Sequence, residues 1–407
     1  MSIPLDSIAE DRRPAALELG AAAVCQSCLS VGMPPFYEVR DVPVHSVTLL
    51  PTREDALAYP TADVLLGFCP ACGFIQNLLY TPEVQDYSRD YEETQAFSPR
   101  FNEFAEALAG RLIATHDLHD KDILEVGGGK GDFLTLLCEM GPNRGVGIDP
   151  AYVPGRLDSE ALERMTFHRE FYADDFTHLT ADLVCCRHTL EHIGPVREFT
   201  ELLRRSAENT VGSALFLEVP DTLRVLRERA FWDIYYEHCS YFTLGSLARL
   251  AAGVGLEVTH LELGFDDQYL LLDAAVGSDG GKQVDDLSLL VAEVAAFAAS
   301  CGAEVARWRM LLSDLRAAGK RAVLWGAGSK AVAFLNTLGT TEDIEYAVDI
   351  NPFKHGTFLA GTGQECVSPE FLTEYQPDLV VAMNPVYLDE IGRDLAAMGL
   401  HPELIAV

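Results

Sequence analysis

The stretch "WDIYYEHCSYF", from Trp232 to Phe242, concentrates side chains that can exchange or donate protons. We expect Tyr235, Glu237 and His238 to face a cavity. The ordinary pKa of histidine lies near neutrality, so His238 suits the role of a general base. Tyrosine hydroxyls donate to a developing oxyanion, and a carboxylate beside a histidine holds its tautomer. The alternative is an aromatic packing segment in which the histidine is only hydrogen-bonded.

Four cysteines form two C-x-x-C pairs, "CQSC" (Cys25 and Cys28) and "CPAC" (Cys69 and Cys72). Each pair presents two thiolates from one tight turn, and two such turns provide the four ligands of a tetrahedral structural Zn²⁺ site. Four thiolates leave no open position, so the predicted zinc is not catalytic. The alternative is a group of four free or buried thiols.

A glycine-rich turn, "LEVGGGKG", follows an apolar strand and opens a helix. Gly127, Gly129 and Gly131 allow the backbone to approach a ligand closely. Such a turn alone does not distinguish a dinucleotide from S-adenosylmethionine. Glu125 before the glycines suits an ammonium group and would repel a pyrophosphate. Asp149, at the end of the next strand, suits two ribose hydroxyls, so both residues favour S-adenosylmethionine.

Two further sites follow predicted strands. Arg187 and His188 end the strand within "ADLVCCRHTLEHI", and we expect them to line the cofactor pocket. The C-terminal "GAGSK" contains Gly326, Gly328 and Lys330. This turn either binds a nucleotide phosphate through the helix N-terminus and Lys330, or is an empty remnant of a Rossmann-like fold.

The elements that position these residues alternate between strand and helix, which predicts an α/β fold with a doubly wound parallel sheet. We predict a small zinc-binding domain at 1–85, a central sheet domain at 86–280 and, at 281–407, a long helix with a second, smaller Rossmann-like sheet. A linker, "GSDGGK", precedes the long helix at about 287–318.

Composition limits the class of partner. The 407 residues carry a formal charge of −32, from 62 acidic and 30 basic side chains, which would repel nucleic acid. Hydrophobic residues make up 48%, but no run approaches a membrane span and the start lacks the layout of a signal peptide. We therefore expect a cytoplasmic protein with a small-molecule substrate, and ten cysteines that serve metal binding or burial rather than disulfides.

The order of these parts resembles the sugar C-methyltransferases that act on nucleotide-linked keto-deoxysugars. The motifs that carry the resemblance are "RHTLEHI", "EVPD", "DIYYEHCSYF", "GAGSK" and "VDINPFKHGTFLAGT". The resemblance covers nearly the whole chain. It implies a class I methyltransferase domain, flanked by an N-terminal zinc-binding domain and a C-terminal Rossmann-like domain, with S-adenosylmethionine as cofactor and a structural zinc ion.

The resemblance also implies roles for individual residues. His238 resembles the family's general base, Tyr235 its aromatic neighbour and His192 the second active-site histidine. Glu237, which lies between Tyr235 and His238, would orient or polarise these side chains. Tyr91 in "DYEETQAFSP" resembles the tyrosine of the segment that closes over the substrate. One stretch departs from the pattern: the chain reads "GFDDQYLLL" where members acting on thymidine-linked sugars carry His-Gly-Gly.

Other functions remain open from the sequence alone. Methyl transfer to an oxygen or nitrogen of another small metabolite is the nearest alternative. A nicotinamide-dependent oxidoreductase would use both glycine turns, and a catalytically inactive binding module would use neither. We expect the chain to act as a monomer or a weak homo-oligomer.

Overall fold

The computed structural model describes residues 3–82, 91–277 and 280–407, which we call the N-terminal, central and C-terminal domains. The strands in these ranges are β1 Pro35–Pro43, β2 Thr61–Phe68, β3 Ile75–Asn77, β4 Asp122–Val126, β5 Arg144–Ile148, β6 Met165–His168, β7 Leu183–Arg187, β8 Ala214–Pro220, β9 Ser240–Tyr241, β10 Leu256–Gly264, β11 Tyr269–Val276, β12 Ala322–Trp325, β13 Tyr346–Val348, β14 Glu365–Val367, β15 Leu379–Ala382 and β16 Glu403–Ala406.

The α-helices of the same ranges are α1 Arg13–Ala22, α2 Arg53–Leu57, α3 Pro99–His116, α4 Asp132–Met140, α5 Val196–Glu208, α6 Thr222–Glu228, α7 Leu244–Gly253, α8 Leu287–Ala317, α9 Ser329–Leu338, α10 Leu372–Tyr375 and α11 Leu388–Ala397. The expected domain boundary between residues 85 and 86 lies outside the described residues, as do residues 278–279 of the expected linker.

The central sheet has seven strands in the order β10-β11-β8-β7-β4-β5-β6. The pairs from β8 to β6 are parallel, and β11 runs antiparallel to both β8 and β10. The doubly wound α/β sheet predicted from the sequence is therefore confirmed. Chain order reverses between β4 and β7, and ligands of such sheets bind beyond the carboxyl ends of the strands at this point.

A four-stranded sheet, β1-β2-β3-β9, joins two domains. Its first three strands belong to the N-terminal domain, but β9 comes from the central domain and pairs antiparallel with β3. Ile75 lies opposite Tyr241, and Gln76 lies opposite Ser240. The aromatic segment that contains His238 is therefore anchored to the N-terminal domain by backbone hydrogen bonds.

The C-terminal sheet has five parallel strands in the order β14-β13-β12-β15-β16. The sequence predicted β12, β13 and β15 but not the two outer strands. β14 has only three residues and begins with a glutamate, and β16 is a four-residue strand that is mostly half-buried at the sheet edge. The Rossmann-like character of this domain is nevertheless as predicted.

The long helix α8 contains 31 residues and, among the described helices, is the one long and apolar enough to cross a membrane by length and composition alone. This departs from the expectation that no run approaches a span. Core helices of soluble proteins meet the same criteria. Here the helix packs on β1, α6 and α9 and buries Phe297 and Trp308 completely.

An aromatic cluster joins the central and C-terminal domains. Phe334 of α9 is fully buried, and its ring stacks on Phe231 with a centroid separation of 5.7 Å. Trp308 of α8 meets Phe334 edge-on at 5.1 Å, and Trp232 meets it at 6.5 Å. This contact fixes the start of the segment that leads to His238.

We predict that Phe334→Ala lowers the free energy of unfolding by about 3–5 kcal/mol, because it removes a buried ring and leaves a cavity between domains. Chemical denaturation followed by tryptophan fluorescence measures this loss. The control is Met310→Ala, at an exposed position of α8, which should change stability by less than about 0.5 kcal/mol. Equal effects of the two substitutions would contradict the structural role given to Phe334.

Candidate functional site

A cavity of about 1200 Å³ lies between the central and C-terminal domains, and Val47 and Tyr80 of the N-terminal domain also contribute to its wall. Both glycine turns line it, as do Tyr235, His192 and His238. Pockets for a single small molecule usually measure about 300–1000 Å³. This volume suits two ligands held side by side.

The first glycine turn connects β4 to α4 and needs its glycines for steric reasons. Gly127, Gly129 and Gly131 all have positive φ angles, of 73°, 55° and 89°. A Cβ atom on Gly127 would lie 1.9 Å from Oγ1 of Thr189. The backbone of this turn is therefore open to a ligand at the switch point of the sheet.

Two carboxylates flank the turn and fit S-adenosylmethionine. Glu125 is 1% exposed and lines the cavity, and its Oε2 has no hydrogen-bond partner among the described residues. Burial raises the pKa of Glu125 to about 7, against the opposing effect of Arg187. Asp149 accepts bonds from the N–H groups of Gly129 (2.8 Å) and Ala151 (2.7 Å), which leaves each oxygen a further lone pair.

Arg187 and His188 line the cavity beside this turn, but both engage Glu218 of β8. Arg187 donates two bonds to Glu218, at 2.8 and 3.0 Å, and stacks 3.8 Å above the ring of Phe133. His188 Nε2 lies 2.8 Å from Glu218 Oε1. Burial alone would lower the pKa of His188, but Glu218 and Glu191 outweigh it and raise the pKa to about 9. The sequence analysis missed Glu218, although it lies within "EVPD".

His192 and His238 meet edge-on with ring centroids 4.7 Å apart, and the ring of Tyr235 lies 4.1 Å from that of His238. Burial lowers the pKa of His192 to about 4 and that of His238 well below its usual value. Both imidazoles are therefore neutral at pH 7, the state that a proton acceptor requires. The carboxylate of Glu191 lies beside them, with an oxygen within 4.8 Å of a nitrogen of each ring.

Glu237 lies behind the cavity wall rather than in it, and is 1% exposed. Its Oε1 accepts bonds from the backbone N–H of Ser46, at 3.2 Å, and from the Ser46 hydroxyl. Its carboxylate also accepts a bond from Tyr91, and its backbone is hydrogen-bonded to His192. The expectation that Glu237 faces the cavity is therefore replaced by a role in holding two residues that do.

Tyr91 lines the cavity and is held from both sides. Its carbonyl accepts a bond of 2.7 Å from Lys130, a buried lysine of the first glycine turn. Its ring lies 6.1 Å from that of His45, which comes from the N-terminal domain. The sequence analysis missed both Lys130 and His45. The lysine stands inside the "GGGKG" motif, whereas a lone histidine in "VPVHSV" gives no signal.

The four cysteines of the two C-x-x-C pairs come together in the N-terminal domain. All four Sγ atoms lie within 4.8 Å of one another. Cys25 and Cys72 are 3.6 Å apart at sulfur, as are Cys28 and Cys69. Thiolates bound tetrahedrally to Zn²⁺ at about 2.3 Å would be roughly 3.8 Å apart. The geometry of the cluster thus fits a zinc ion.

The second glycine turn repeats the geometry of the first. Gly326 has a φ of 108°, and its N–H donates to Val348 across the strand end. The N–H of Ala327 donates to Asp349 at 2.9 Å, just as Gly129 donates to Asp149. Lys354 contacts the same carboxylate at 3.1 Å. Asp349, in "VDINP", is a residue that the sequence analysis quoted but did not assign.

The cationic side chain of this second turn is paired. Lys330 Nζ lies 3.1 Å from Asp233, which also accepts a bond of 2.6 Å from Arg224. All three side chains line the cavity, as does Gly328. Ion pairing holds the pKa of Asp233 low despite burial. Arg224 also pairs with Glu228 at 2.7 Å, so the two cations of this group are balanced by two anions.

Comparisons with known proteins match both halves of this cavity. The methyltransferase-domain family matches residues 96–261, and the C-methyltransferase C-terminal domain family matches residues 289–401. C-methyltransferase NovU from Streptomyces niveus is 28% identical over 286 residues, which cover 66% of this chain and 67% of NovU.

Two solved structures share part of the fold. The magnesium protoporphyrin IX methyltransferase ChlM from Synechocystis PCC 6803, with bound SAH, is 17% identical over 43% of this chain and 83% of its own, with a TM-score of 0.34. TnmH is 21% identical over 44% of this chain and 60% of its own, with a TM-score of 0.32.

The two matched families run in the same order as the two α/β domains, and NovU shares the named activity of the second family. The cofactor turn, with Glu125 and Asp149 on either side, lies within the first matched range. The chain is therefore an S-adenosylmethionine-dependent C-methyltransferase.

Proposed function

We propose that this enzyme methylates a carbon next to the ketone of a nucleotide-linked keto-deoxysugar in the cytoplasm. The observation that carries the proposal is the single cavity that joins a cofactor turn, a pair of neutral histidines and a second nucleotide-type turn. A volume of about 1200 Å³ exceeds the usual room for one ligand. The similarity to the C-methyltransferase NovU supports transfer to carbon.

The cofactor half of the cavity contains the groups that S-adenosylmethionine requires. Glu125 would hold the ammonium, Asp149 the ribose hydroxyls, and the backbone of Gly127 and Gly129 the body of the molecule. When bound, the cofactor supplies an electrophilic methyl group. Arg187 and His188 balance the charge of Glu218 beside it.

His238 is the proposed base. The α C–H bond of the substrate breaks, its proton passes to the neutral imidazole, and the electron pair moves onto the ketone oxygen as an enolate. Tyr235 and Tyr91 line the same cavity, and the hydroxyl of Tyr235 is the proposed donor to that oxygen. His192 lies beside His238. Because His192 is itself neutral, it places no positive charge next to the base before the proton arrives.

The C-terminal half is the proposed nucleotide site. Gly326 and Gly328 open the N-terminus of α9, where backbone N–H groups and the helix dipole favour an anion. Arg224 and Lys330, with Asp233 between them, supply ion-paired N–H donors on this part of the wall. Asp349 corresponds to the ribose-facing Asp149 of the first turn.

Replacing the base should stop proton transfer without affecting the cofactor. We predict that His238→Asn lowers kcat about 10²- to 10⁴-fold, since general bases contribute that much. Exchange of the substrate's α-proton with D₂O, followed by NMR, should fall in parallel. Calorimetric binding of S-adenosylhomocysteine should stay the same.

The control for this prediction is His119→Asn, at an exposed histidine, which should retain full exchange and turnover. A panel of nucleoside diphosphate keto-deoxysugars serves as substrate. Undiminished exchange in His238→Asn would disprove the role of the base. A methylated oxygen or nitrogen in the product, with no exchange in the unmodified enzyme, would instead favour another acceptor.

Cofactor binding should depend on pH through Glu125. Its pKa of about 7 means that the carboxylate is mostly protonated at pH 6, whereas an ammonium ligand binds the ionised form and lowers the pKa. We predict that the Kd for S-adenosylhomocysteine is roughly tenfold lower at pH 8 than at pH 6. Glu125→Gln should weaken binding about 10- to 100-fold at pH 8 and remove the pH dependence.

Calorimetric titration at several pH values tests this dependence, with Glu103→Gln as a control at a surface glutamate. The control should reproduce the unmodified pH dependence. A Kd for the unmodified enzyme that does not change between pH 6 and pH 8 would contradict the assignment of Glu125 to the ammonium.

We also propose that Cys25, Cys28, Cys69 and Cys72 hold a structural zinc ion. The sulfur separations of 3.6 Å within the cluster support the proposal. β3 follows the second cysteine pair directly and pairs with β9, so the zinc would stabilise the sheet that anchors the His238 segment.

Metal analysis of the purified enzyme should give about one zinc per chain. Cys69→Ala should reduce the zinc content several-fold and lower Tm, because structural zinc sites supply folding energy directly. Cys138→Ala removes a buried thiol outside the cluster and should leave the zinc content unchanged. A zinc content well below one per chain in the unmodified enzyme would refute the proposed site.

A further inference from the structure

Three domains meet at one buried hydrogen-bonded chain. Ser46 lies in the loop after β1 of the N-terminal domain and is 4% exposed. Its N–H and its hydroxyl both donate to Glu237 of the central domain. Its Oγ also lies 2.7 Å from Oγ of Ser329, the first residue of α9 in the C-terminal domain.

The direction of the chain follows from proton counting. A serine hydroxyl carries one proton and two lone pairs. In both contacts the Ser46 hydroxyl is the donor, so its single proton is shared between the Glu237 carboxylate and the Ser329 hydroxyl. Ser329 lines the cavity at the N-terminus of α9, where an anionic ligand would bind.

Glu237 distributes the effect of this chain to the cavity. Its carboxylate accepts from Tyr91 and its backbone is hydrogen-bonded to His192, and both of these residues line the cavity. In the sequence, Glu237 directly precedes His238 and follows Tyr235 by two positions. A shift of its carboxylate therefore moves the groups proposed to handle the proton.

We propose that Ser46 is a positioning residue that links Ser329, at the C-terminal glycine turn, to Glu237 and through it to the proton-transfer residues. The N-terminal domain thereby contributes directly to catalysis, in addition to any structural role of its cysteines. The inference rests on the proposed function, because it assigns Ser329 to the nucleotide half of the cavity.

The expected signature is a change in pH dependence. Burial raises the pKa of Glu237 to about 7, and the bonds from Ser46 and Tyr91 oppose that rise. Removing the Ser46 hydroxyl should raise the pKa further, so less of the carboxylate is ionised at pH 7. The titratable or charged groups around the chain are Tyr80, Tyr91, His192, Tyr235, His238, Tyr241 and Lys330.

The test compares Ser46→Ala, Ser329→Ala and the double variant. For Ser46→Ala we expect the rising limb of the kcat/KM profile to move about one pH unit upward, the equivalent of a lost hydrogen bond to a charged group. Ser329→Ala leaves Glu237 as the sole acceptor of the Ser46 proton, so it should move the limb in the opposite direction and also raise KM. In the Ser46→Ala background, Ser329→Ala should add no further pH shift, because the chain is already broken.

Two further variants separate positioning from folding. Ser46→Thr keeps the hydroxyl and should restore the unmodified pH profile, while Ser300→Ala, at a serine of α8, should leave it unchanged. Zinc content and Tm show whether the Ser46 variants fold. If they do not, Ser329→Ala alone decides the question, since it lies outside the N-terminal domain.

A measurement without substrate separates this inference from the proposed function. The protonation of Glu237 is followed by the infrared carboxyl band as pH changes, with Glu237→Gln to assign the band. Ser46→Ala should shift its midpoint upward by about one pH unit. An unchanged midpoint, or equal shifts from Ser329→Ala in both backgrounds, would overturn the inference even if α-proton exchange occurs.

Discussion

The short antiparallel pairing between β3 and β9 is the constraint on which the site depends. It ties the central domain's aromatic segment to the N-terminal sheet immediately after His238. The other end of the segment is held by Phe231 and Trp232 against Phe334 of the C-terminal domain. A segment fixed at both ends by different domains has little freedom to move its side chains, and such preorganisation would be the main contribution of the protein to the proposed reaction.

The electrostatics of the cavity separate three histidines that look equivalent in sequence. Ion pairing with Glu218 and Glu191 keeps His188 protonated, whereas burial keeps His192 and His238 neutral. One imidazole therefore contributes to charge balance next to the cofactor turn, and two remain available for proton transfer. The carboxylates nearest to each ring decide this division, and spacing along the chain does not reveal it.

Much of the architecture was predictable because its signals are local. Apolar strands that end in glycine turns identified both α/β domains, and two C-x-x-C pairs indicated the cysteine cluster. Glu125 and Asp149 could be singled out from their places beside such a turn, and His238 from its aromatic segment together with the family resemblance. The contributions of Ser46, His45 and Arg224 were not, because they depend on contacts between domains. The pairing of β9 with β3 joins residues more than 160 positions apart, and two-residue strands carry no periodicity.

The two glycine turns also affect the thermodynamics of ligand capture. Asp149 and Asp349 each accept backbone N–H bonds from their own turn and from the residue two positions beyond themselves. Each turn is thus held by a hydrogen bond to the aspartate that follows the next strand. Little loop entropy remains to be lost when either ligand arrives, so more of the contact energy appears as affinity. Both halves of the cavity share this feature, so binding of the two proposed ligands would require no large ordering transition of either turn.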